Sequence, residues 1–284
     1  MTVLVFGRTG QVARALAVLG PEAVFLGRDE ADLRDPSACA AAIRARRPHA
    51  VINAAAWTAV DDAEEHEAEA LVINGEAPAE MARACAALAI PFVHISTDYV
   101  FAGGGDAPWR SDDPVAPCNA YGRTKRAGEV GIIAAGGAFG ILRTSWVFSA
   151  TGVNFLKTML RLSETRDRLS VVGDQIGGPT PATAIAAVCL TMAETLRAEP
   201  DLSGIYHLSG DPDVSWAGFA REIFAQAGRS VTVEDIPSHA YPQPAPRPAN
   251  SRLDCSGLAQ AFGIARPDWR AEVDRILNEL GAVT

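Results

Sequence analysis

The feature that most constrains the fold is a glycine-containing turn directly after the first apolar run of the chain. Val3–Phe6 has the composition of a buried strand, and Gly7-Arg8-Thr9-Gly10-Gln11-Val12-Ala13 then leads into a helix-length segment. Gly7 permits a tight turn, Gly10 lets the backbone approach a pyrophosphate, and Ala13 is small enough for close helix–sheet packing. The helix N-terminus would offer unpaired N–H groups to the anion. The pattern predicts dinucleotide binding, although a tight strand–helix turn needs glycine even without a ligand.

The predicted fold is a doubly wound α/β fold. Short aliphatic runs alternate with alanine-rich, helix-length stretches over the first two-thirds of the chain. Strands that are apolar throughout belong to a parallel sheet covered by helices on both faces, and the alternation predicts right-handed crossovers. The predicted elements of this part are the strands Val3–Phe6, Ala23–Leu26, Ala50–Asn53, Phe92–Ser96 and Ile141–Ser145 and the helices Ala38–Arg46, Pro78–Leu88 and Tyr121–Ile133.

The alternation of short aliphatic runs with helix-length stretches becomes irregular after about Ser149, which predicts a second, smaller region. Further predicted elements are the helices Asn154–Glu164 and Ala182–Arg197 and the strands Leu169–Val172 and Gly204–Leu208. Five prolines between Pro237 and Asn250 exclude a helix or a central strand, so this segment should be an ordered loop or cover a site. The expected domains are a Rossmann-type dinucleotide-binding domain of residues 1–150 and about 180–208, and a C-terminal substrate-binding region of residues 151–179 and 209–284.

Charge and composition exclude several classes of protein. The 284 residues include 25 Lys+Arg and 34 Asp+Glu, a net charge of −9, and an acidic chain without a basic stripe is a poor nucleic-acid binder. The uncharged apolar-leaning run Val130–Leu142 is shorter than the roughly 20 residues that span a bilayer, and we expect no membrane segment. The five cysteines are widely separated, which predicts neither a zinc site nor a disulfide framework. The first residues lack the basic stretch of a signal peptide, and the expected location is the cytoplasm.

Residues that could distinguish NADPH from NADH follow the second predicted strand. An acidic side chain about twenty residues after the glycine motif usually binds the adenosine ribose 2′-hydroxyl, and here the sequence reads Gly27-Arg28-Asp29. Arg28 would suit a 2′-phosphate and Asp29 a free hydroxyl, while either could be a solvated loop charge. The sequence therefore favours NADPH and leaves NADH open.

An acidic run around His66 raises the question of a metal site. Its members are Asp61, Asp62, Glu64, Glu65, Glu67 and Glu69. Acidic residues are favourable near the N-terminus of a helix because of the helix dipole, and the five histidines of the chain lack ligand spacing. We therefore predict a solvated helix face and assign no metal ligand.

The strongest chemical signal combines a hydroxyl residue after the fourth predicted strand with a Tyr-x-x-x-Lys pair. Thr97 directly follows Phe92–Ser96, at the edge where open α/β sheets bind ligands. Tyr121 and Lys125 are four residues apart and project from one face of a helix. An ammonium group beside the phenol, together with a bound nicotinamide cation, is expected to lower the pKa of Tyr121 from about 10 toward neutrality. Alone the pair would be an ordinary surface pair, but with the glycine motif it predicts proton transfer at a carbonyl or alcohol oxygen.

Further runs extend this pattern, in order, over almost the whole chain. They are Gly7-x-x-Gly10-Gln11, Asn53-Ala54-Ala55-Ala56-Trp57-Thr58-Ala59-Val60-Asp61, Ser96-Thr97-Asp98-Tyr99-Val100-Phe101, Tyr121-Gly122-x-x-Lys125, Arg143-Thr144-Ser145-Trp146-Val147, Asp174-Gln175-x-Gly177-x-Pro179-Thr180 and Arg247-Pro248-x-Asn250-Ser251. Together they resemble the extended short-chain dehydrogenase/reductase superfamily and, within it, the dTDP-4-dehydrorhamnose reductase family. The Thr/Tyr/Lys set is shared by the superfamily, whereas the Asp-Tyr-Val-Phe and Asp-Gln-x-Gly-x-Pro-Thr runs are more particular to the family.

The resemblance implies reduction of the C4 keto group of dTDP-4-dehydro-β-L-rhamnose by NADPH or NADH, the last step of dTDP-L-rhamnose biosynthesis. The catalytic residues it implies are Thr97, Tyr121 and Lys125. The cofactor-binding residues it implies are Gly7, Arg8, Thr9, Gly10, Gln11, Val12, Arg28, Asp32, Leu33, Ala54, Ala55, Ala56, Thr58, Asn74, Tyr121 and Lys125. The substrate-binding residues it implies are Val60, Thr97, Asp98, Tyr99, Trp146, Arg247 and Arg252, the two arginines at the diphosphate. For Trp146, a position in the core remains the alternative to a sugar contact. Asn74 is expected to order a water or the helix backbone behind Lys125, and the alternative is a plain N-cap.

Departures from the family pattern leave some properties open. Ala15 stands where relatives that dimerise around a magnesium ion carry glutamate, so the resemblance decides neither a magnesium requirement nor the choice between monomer and homodimer. Two other functions are compatible with the pattern. One is another nucleotide-sugar reductase, epimerase or dehydratase with the same catalytic set. The other is a non-catalytic NADP-binding regulatory subunit, which would gain little from keeping that set intact.

Overall fold

The computed structural model describes residues 2–282, whose strands build one large sheet and several small ones. The strands are β1 (Val3–Phe6), β2 (Val24–Leu26), β3 (Ala50–Asn53), β4 (Phe92–Thr97), β5 (Phe139–Thr144), β6 (Val147–Phe148), β7 (Arg168–Val172), β8 (Ile176–Gly177), β9 (Thr180–Pro181), β10 (Gly204–Leu208), β11 (Val214–Ser215), β12 (Thr232–Ile236) and β13 (Asn250–Ser251). The large sheet is parallel throughout, in the order β2-β1-β3-β4-β5-β10. Because β2 and β3 lie on opposite sides of β1, the carboxyl ends of β1 and β3 form a topological switch point, where such sheets bind ligands.

Helices cover both faces of the large sheet, which confirms the predicted doubly wound α/β fold. They are α1 (Gln11–Leu19), α2 (Pro36–Arg46), α3 (Asp62–Glu65), α4 (Glu67–Leu71), α5 (Ala77–Ala87), α6 (Ala120–Ala135), α7 (Phe155–Ser163), α8 (Ala182–Ala198), α9 (Trp216–Gln226), α10 (Ser256–Phe262) and α11 (Trp269–Glu279). Leu16 and Ile185 bring α1 and α8 into one apolar cluster, and Ile43, Met81 and Ile132 bring α2, α5 and α6 into another. Among the described residues, no helix combines the length and the apolar character needed to cross a bilayer.

A third apolar cluster lies outside the large sheet and joins α7, β7, α9 and α11. Leu156 and Trp269 are buried in it, and β7 pairs in parallel with β12. This separate core supports our proposal of a substrate-binding region made of residues 151–179 and 209–284, of which 283 and 284 lie outside the described residues. Helix α10 is an exception, because Leu258 packs into a cluster of the large sheet.

Most predicted elements are confirmed with shifted ends. β5 begins at Phe139 rather than Ile141, because Phe139 already pairs with Phe92 of β4. The proline-rich segment is ordered and ends in β13, where the Asn250 amide donates to the Gly103 carbonyl at 2.8 Å. The predicted helix Pro78–Leu88 is confirmed as α5, and it directly follows α4 and a π-helical turn at Val72–Glu76 that the sequence did not indicate.

Candidate active site

The turn after β1 lies at the switch point and brings two loops close together. Gly7 has a φ of 110°, which residues with a side chain rarely adopt, and a Cβ on it would lie 3.1 Å from the Ala54 carbonyl oxygen. Helix α1 begins at an N-cap glycine, Gly10, which has no side chain to satisfy the first N–H groups of the helix. The unpaired N–H groups at the start of α1 could therefore bind the pyrophosphate of a dinucleotide, because no side chain of Gly7 or Gly10 blocks its approach. They lie within the predicted segment Gly7–Val12.

Charged residues at the end of β2 pair with one another. Arg8 forms an ion pair with Glu30 and lies 3.6 Å from Asp29. Glu30 also accepts a hydrogen bond from the Gly27 amide at 3.3 Å, whereas Arg28 is exposed. The structure thus places two arginines beside the predicted adenosine site. Glu30, which sequence reasoning did not consider, competes for one of them.

Asp32 and Leu33, also predicted for the cofactor, have different surroundings. The Arg34 guanidinium donates to Asp32 at 2.6 Å, and this hydrogen bond lowers the pKa of the Asp32 carboxyl. The Leu33 side chain is buried in the apolar cluster beneath α2. Leu33 therefore packs in the core, and of these two residues only Asp32 could offer a polar side chain to the cofactor.

The loop after β3 is held in place by Asn74. Its amide oxygen accepts from the Trp57 backbone N–H at 2.8 Å, and its amide nitrogen donates to the Trp57 carbonyl and to Thr124 Oγ1, both at 3.1 Å. Ala54–Ala56, between β3 and Trp57, are half-buried, and Thr58 is exposed. Asn74 lies within the π-helical turn rather than at a helix start, so the N-cap alternative is wrong. Instead it ties the alanine loop to α6.

Thr97, the last residue of β4, belongs to a buried hydrogen-bond network. Its hydroxyl donates to Asp98 Oδ1 at 3.1 Å and accepts from the Tyr99 amide at 3.2 Å. The other carboxylate oxygen of Asp98 accepts from the Ser251 hydroxyl at 2.5 Å. Burial raises the pKa of Asp98 to about 6, while the hydrogen bonds from Ser251 and Thr97 oppose this increase. The carboxyl group therefore orients the hydroxyl that is predicted to contact the substrate.

Tyr121 and Lys125 both turn from α6 toward β4, as their spacing predicts. Burial raises the pKa of Tyr121 to about 12, and a side-chain hydrogen bond with Thr97 acts in the opposite direction. Lys125 donates from Nζ to the Ile95 carbonyl at 2.7 Å and lies 3.1 Å from His94 Nε2, and burial lowers the pKa of Lys125 to about 8. Burial dominates at the phenol and the amine is bound to β4, so the lowering of the Tyr121 pKa by Lys125 together with a bound nicotinamide cation stays a prediction.

A buried ion pair fixes α6 against β5. Arg143 donates from Nε and Nη2 to the two carboxylate oxygens of Glu129, each at 2.8 Å, and both residues are at most 1% exposed. Glu129 also accepts from Ser96 Oγ at 2.7 Å and from Arg126 at 3.0 Å. Although burial raises it, the hydrogen bonds and charge of Arg143 hold the pKa of Glu129 below its ordinary value. The helix that carries both catalytic candidates is therefore anchored to the sheet.

A cavity of about 690 Å³ opens beside Tyr99. The Tyr99 ring meets the Tyr121 ring edge-on, with 5.5 Å between their centroids. Other lining residues include Phe155, Met159, Val171, Gln175, Trp216, Ile236, Tyr241 and Gln243 and the arginines Arg166, Arg168 and Arg247. Its volume and its aromatic walls with a few polar groups are typical of a small-molecule site. The proline-rich segment covers it, as the sequence predicts.

Of the two arginines predicted for a diphosphate, the structure brings one to the cavity. Arg247 lines it and pairs with Asp61 at 2.7 Å, close to the half-buried Val60. Arg252 instead donates to the Asp106 carbonyl and lies outside the cavity lining. Arg252 follows Ser251, whose hydroxyl contacts Asp98. Because successive side chains of an extended chain point to opposite sides, the Arg252 side chain points away from Asp98.

Trp146 does not present two free indole faces. Its ring stacks on Trp216, with centroids 3.6 Å apart and an interplanar angle of 13°. It also packs against Gly177, and its φ of 49° is strained for a residue with a side chain. Trp216, whose Nε1 donates to Gln175 Oε1 at 3.1 Å, is the indole that lines the cavity. A sugar could therefore contact Trp146 only through the part of its indole ring that Trp216 does not cover.

Part of the acidic run is paired rather than merely solvated. Glu64 accepts from the Ala120 amide at 2.7 Å at the start of α6, and Glu67 binds Arg123 at 2.7 Å. Within residues 2–282 the His, Cys, Asp and Glu side chains form no group of three that could hold a metal ion. These acids therefore attach α3 and α4 to α6.

Sequence reasoning missed several residues that complete the site. Asn53 and His94 are buried polar side chains inside strands that otherwise read as apolar, which was a usable signal. Ser251 belonged to a run that resembles the family, but nothing in that run indicated its contact with Asp98. Trp216 and Glu30 carried no local signal, because the partner of Trp216 is distant in sequence and Glu30 looks like an ordinary loop charge.

Comparison with known proteins gives consistent full-length matches. The sequence model of the RmlD substrate binding domain family matches residues 1–282. Among similar curated proteins, a dTDP-4-dehydrorhamnose reductase from Sinorhizobium fredii is 43% identical over 98% of this chain and 97% of its own length. A protein of the same name from Burkholderia thailandensis is 45% identical over 99% of both chains.

Solved structures agree with these sequence matches. A dTDP-4-dehydrorhamnose reductase from Clostridium acetobutylicum superposes with a TM-score of 0.92 at 34% identity, over 99% of this chain and 100% of that one. The enzyme of that name from Bacillus anthracis, solved in complex with NADP, has a TM-score of 0.90 at 33% identity over 98% and 99% of the two chains. The match therefore includes the glycine turn, the β4–α6 residues and the C-terminal region together.

Proposed function

The chain belongs to the dTDP-4-dehydrorhamnose reductase family, and from this premise we propose that it reduces dTDP-4-dehydro-β-L-rhamnose at C4 to dTDP-β-L-rhamnose. This reaction is the last step of dTDP-L-rhamnose biosynthesis. The observation that carries the proposal is the meeting of Thr97, Tyr121 and Lys125 at the carboxyl end of β4. The Tyr121 ring meets the ring of Tyr99, which lines the cavity, and Gly10 leaves the N-terminus of α1 without a side-chain cap.

The catalytic side chains act on the carbonyl oxygen of the substrate. A bound nicotinamide cofactor supplies the hydride that C4 accepts. Tyr121 gives its phenolic proton to the oxygen as negative charge develops. Thr97 turns its single hydroxyl proton from Asp98 Oδ1 to the same oxygen and donates a hydrogen bond to it in this buried site. Because burial raises the pKa of Tyr121 to about 12, the phenol retains its proton at neutral pH until the oxyanion forms. The charge of Lys125 stabilises the phenolate that remains.

The cofactor side fits a dinucleotide, and we propose NADPH as the preferred form. The backbone of Gly7–Val12 would hold the pyrophosphate, and Lys125 the nicotinamide ribose. Arg28 and Arg8 would attract a 2′-phosphate, for which the NADP complex of the Bacillus anthracis relative gives support. Glu30 offsets part of this attraction because it pairs with Arg8, so NADH remains a usable second cofactor.

The substrate would extend from the catalytic residues into the cavity. Asp98 and Tyr99 lie beside Thr97 and Tyr121, where the sugar ring must be placed. Arg247, 14% exposed in its side chain, is positioned to neutralise a diphosphate, and Trp216 offers an aromatic face to the remainder of the nucleotide. This arrangement supports a nucleotide-linked sugar as the substrate class.

The test follows oxidation of NADPH, and separately NADH, with dTDP-, UDP- and GDP-linked 4-keto-6-deoxysugars. We expect stoichiometric oxidation with dTDP-4-dehydro-β-L-rhamnose and formation of dTDP-β-L-rhamnose. A changed sugar without net cofactor oxidation would indicate an epimerase and contradict the proposal. The absence of oxidation with every sugar, together with tight association with a partner protein, would indicate a regulatory subunit.

A further inference from the structure

A chain of buried polar side chains runs behind the catalytic residues, from β3 through β4 to α6. The Ala55 amide donates to Asn53 Oδ1 at 3.1 Å, and Asn53 Nδ2 lies 3.2 Å from His94 Nδ1. His94 Nε2 in turn lies 3.1 Å from Lys125 Nζ. Asn53, His94 and Lys125 are each only 1% exposed. The mechanism uses Lys125 but assigns no role to the other two side chains.

The donors in this chain determine which nitrogen of His94 carries the proton. The Ala55 amide occupies the side-chain oxygen of Asn53, so the group that faces His94 is the NH₂, which can only donate. This bond requires a lone pair on Nδ1, and a neutral imidazole then carries its single proton on Nε2. That N–H faces Lys125 Nζ.

The tautomer of His94 has a consequence for the lysine. An ammonium group has three donors and no acceptor, so a charged Lys125 would set two donors against each other across 3.1 Å. A neutral amine has a lone pair that accepts the Nε2–H hydrogen bond. The Asn53–His94 pair therefore favours the neutral amine, unless His94 changes tautomer and loses its hydrogen bond from Asn53.

We propose that His94, oriented by Asn53, is a positioning residue for the reduction, which holds the Lys125 amine at β4 and favours release of its proton. The consequence for catalysis rests on the proposed function. Since the charge of Lys125 stabilises the phenolate of Tyr121, His94 sets the pH above which that stabilisation is lost.

The other groups around Lys125 are compatible with this role. Burial lowers the pKa of Lys125 to about 8, and Glu129 acts in the opposite direction. The titratable groups that face Lys125 or its neighbours are Tyr121, Arg126 and Glu129 on α6, Arg143 on β5, and Asp98 after β4. Burial and the charge of Lys125 hold the pKa of His94 well below its ordinary value, so the imidazole stays neutral.

The lysine content of the chain allows a direct test. Lysine occurs only at positions 125 and 157, so the full-length protein with isotope-labelled lysine gives two side-chain signals by NMR, assigned with Lys157→Arg. In His94→Gln the amide oxygen can accept from an ammonium group, and we expect the pKa of Lys125 to rise by about one unit.

The matched control is His207→Gln. His207 is also 1% exposed in the same sheet, but contacts the Trp109 carbonyl and should leave the Lys125 titration unchanged. An unchanged Lys125 titration in folded His94→Gln overturns the proposal.

The unsubstituted protein offers a second measurement that does not depend on how a variant folds. The nitrogen chemical shifts of the imidazoles identify the tautomer, and above the pH at which Lys125 releases its proton we expect the proton of His94 on Nε2. A proton on Nδ1 overturns the proposal, because Nε2 would then accept from Lys125 and stabilise its charge.

Turnover then separates a positioning role from a structural one. In His94→Gln we expect the alkaline limb of the kcat profile to move up by about one pH unit, with the sugar-nucleotide KM within about threefold of the unsubstituted value. A fall in kcat without a displaced limb indicates a structural role and overturns the proposal. If the unsubstituted protein oxidises no NADPH, the proposed function fails, while the lysine titration still tests His94.

Discussion

The catalytic side and the substrate side of the candidate site are built in different ways. The catalytic side uses residues at the ends of neighbouring parallel strands and on the helix α6, so each follows from local pattern and sheet order. The substrate side joins Tyr99 to Trp216 and Arg247, which the chain reaches only after long excursions. The difference teaches that the fold itself preorganises the proposed proton donor, whereas the proposed substrate site depends on how the C-terminal segments pack.

The two sides also differ in how their charges are paired. On the catalytic side Glu129 and Arg143 are almost completely inaccessible, whereas on the substrate side the pair Asp61–Arg247 is 40% and 14% exposed. Charge interactions are stronger away from water, but an unpaired buried charge is costly. Substitutions on the catalytic side should therefore affect folding and kcat, and those on the substrate side mainly KM.

The largest effect is expected from Arg143→Leu. This change leaves Glu129 buried with only Arg126 and Ser96 as polar partners, and we expect the free energy of unfolding to fall by about 3–5 kcal/mol. Urea denaturation measures the change. The control is Arg123→Leu on the same helix, which breaks an exposed pair with Glu67 and should cost at most about 1 kcal/mol. Equal losses in the two variants would show that burial does not distinguish the two ion pairs.

Tyr121→Phe should give the next largest effect, confined to chemistry. Without the phenolic proton we expect kcat to fall by a factor on the order of 100 or more, with cofactor affinity nearly unchanged. Steady-state kinetics and a fluorescence titration with NADPH measure the two quantities. Tyr206→Phe is the matched control, since that hydroxyl donates to the Leu202 carbonyl at 2.6 Å, near the far end of α8. Retention of normal turnover in Tyr121→Phe would remove the assigned acid.

The catalytic side could be predicted from sequence because its signals are local. The turn at Gly7, the end of β4 at Thr97 and the helical spacing of Tyr121 and Lys125 each need only a few consecutive residues. The local pattern did not indicate that burial raises the pKa of Tyr121 or that the Lys125 amine binds the Ile95 carbonyl. The role of His94 was not found because it depends on contacts from two other elements.

The substrate side could be predicted only in outline. Proline content indicated an ordered covering segment, but not that Tyr241 and Arg247 line a cavity with Trp216. Sequence could not indicate that Arg252 lies outside the cavity lining, because the register of the two-residue strand before it decides which side each residue faces. Such registers depend on pairing between segments far apart in sequence, which no local pattern specifies.

Arg247→Ala sharpens the comparison from the substrate side. Loss of a guanidinium positioned for the diphosphate should raise the KM for the sugar nucleotide about tenfold, with kcat within about threefold. Asp61→Asn is the informative companion, because it removes the carboxylate that neutralises Arg247 and should leave KM unchanged or lower it. A fall in kcat without a change in KM would place Arg247 with the catalytic residues instead.

The smallest effect concerns the adenosine end, where Arg28 is exposed and Arg8 is shared with Glu30. An exposed arginine contributes about 1 kcal/mol to binding a phosphate, so Arg28→Ala should reduce the ratio of kcat/KM for NADPH over NADH about fivefold. The loss should shrink at high salt, because screening weakens exposed charge pairs. Arg34→Ala is the control, since Arg34 is also exposed to solvent but is bound to Asp32, and it should leave the ratio unchanged. If Arg28→Ala weakens both cofactors equally, the side chain does not recognise the 2′-phosphate, and cofactor preference must arise from Arg8 and its competition with Glu30.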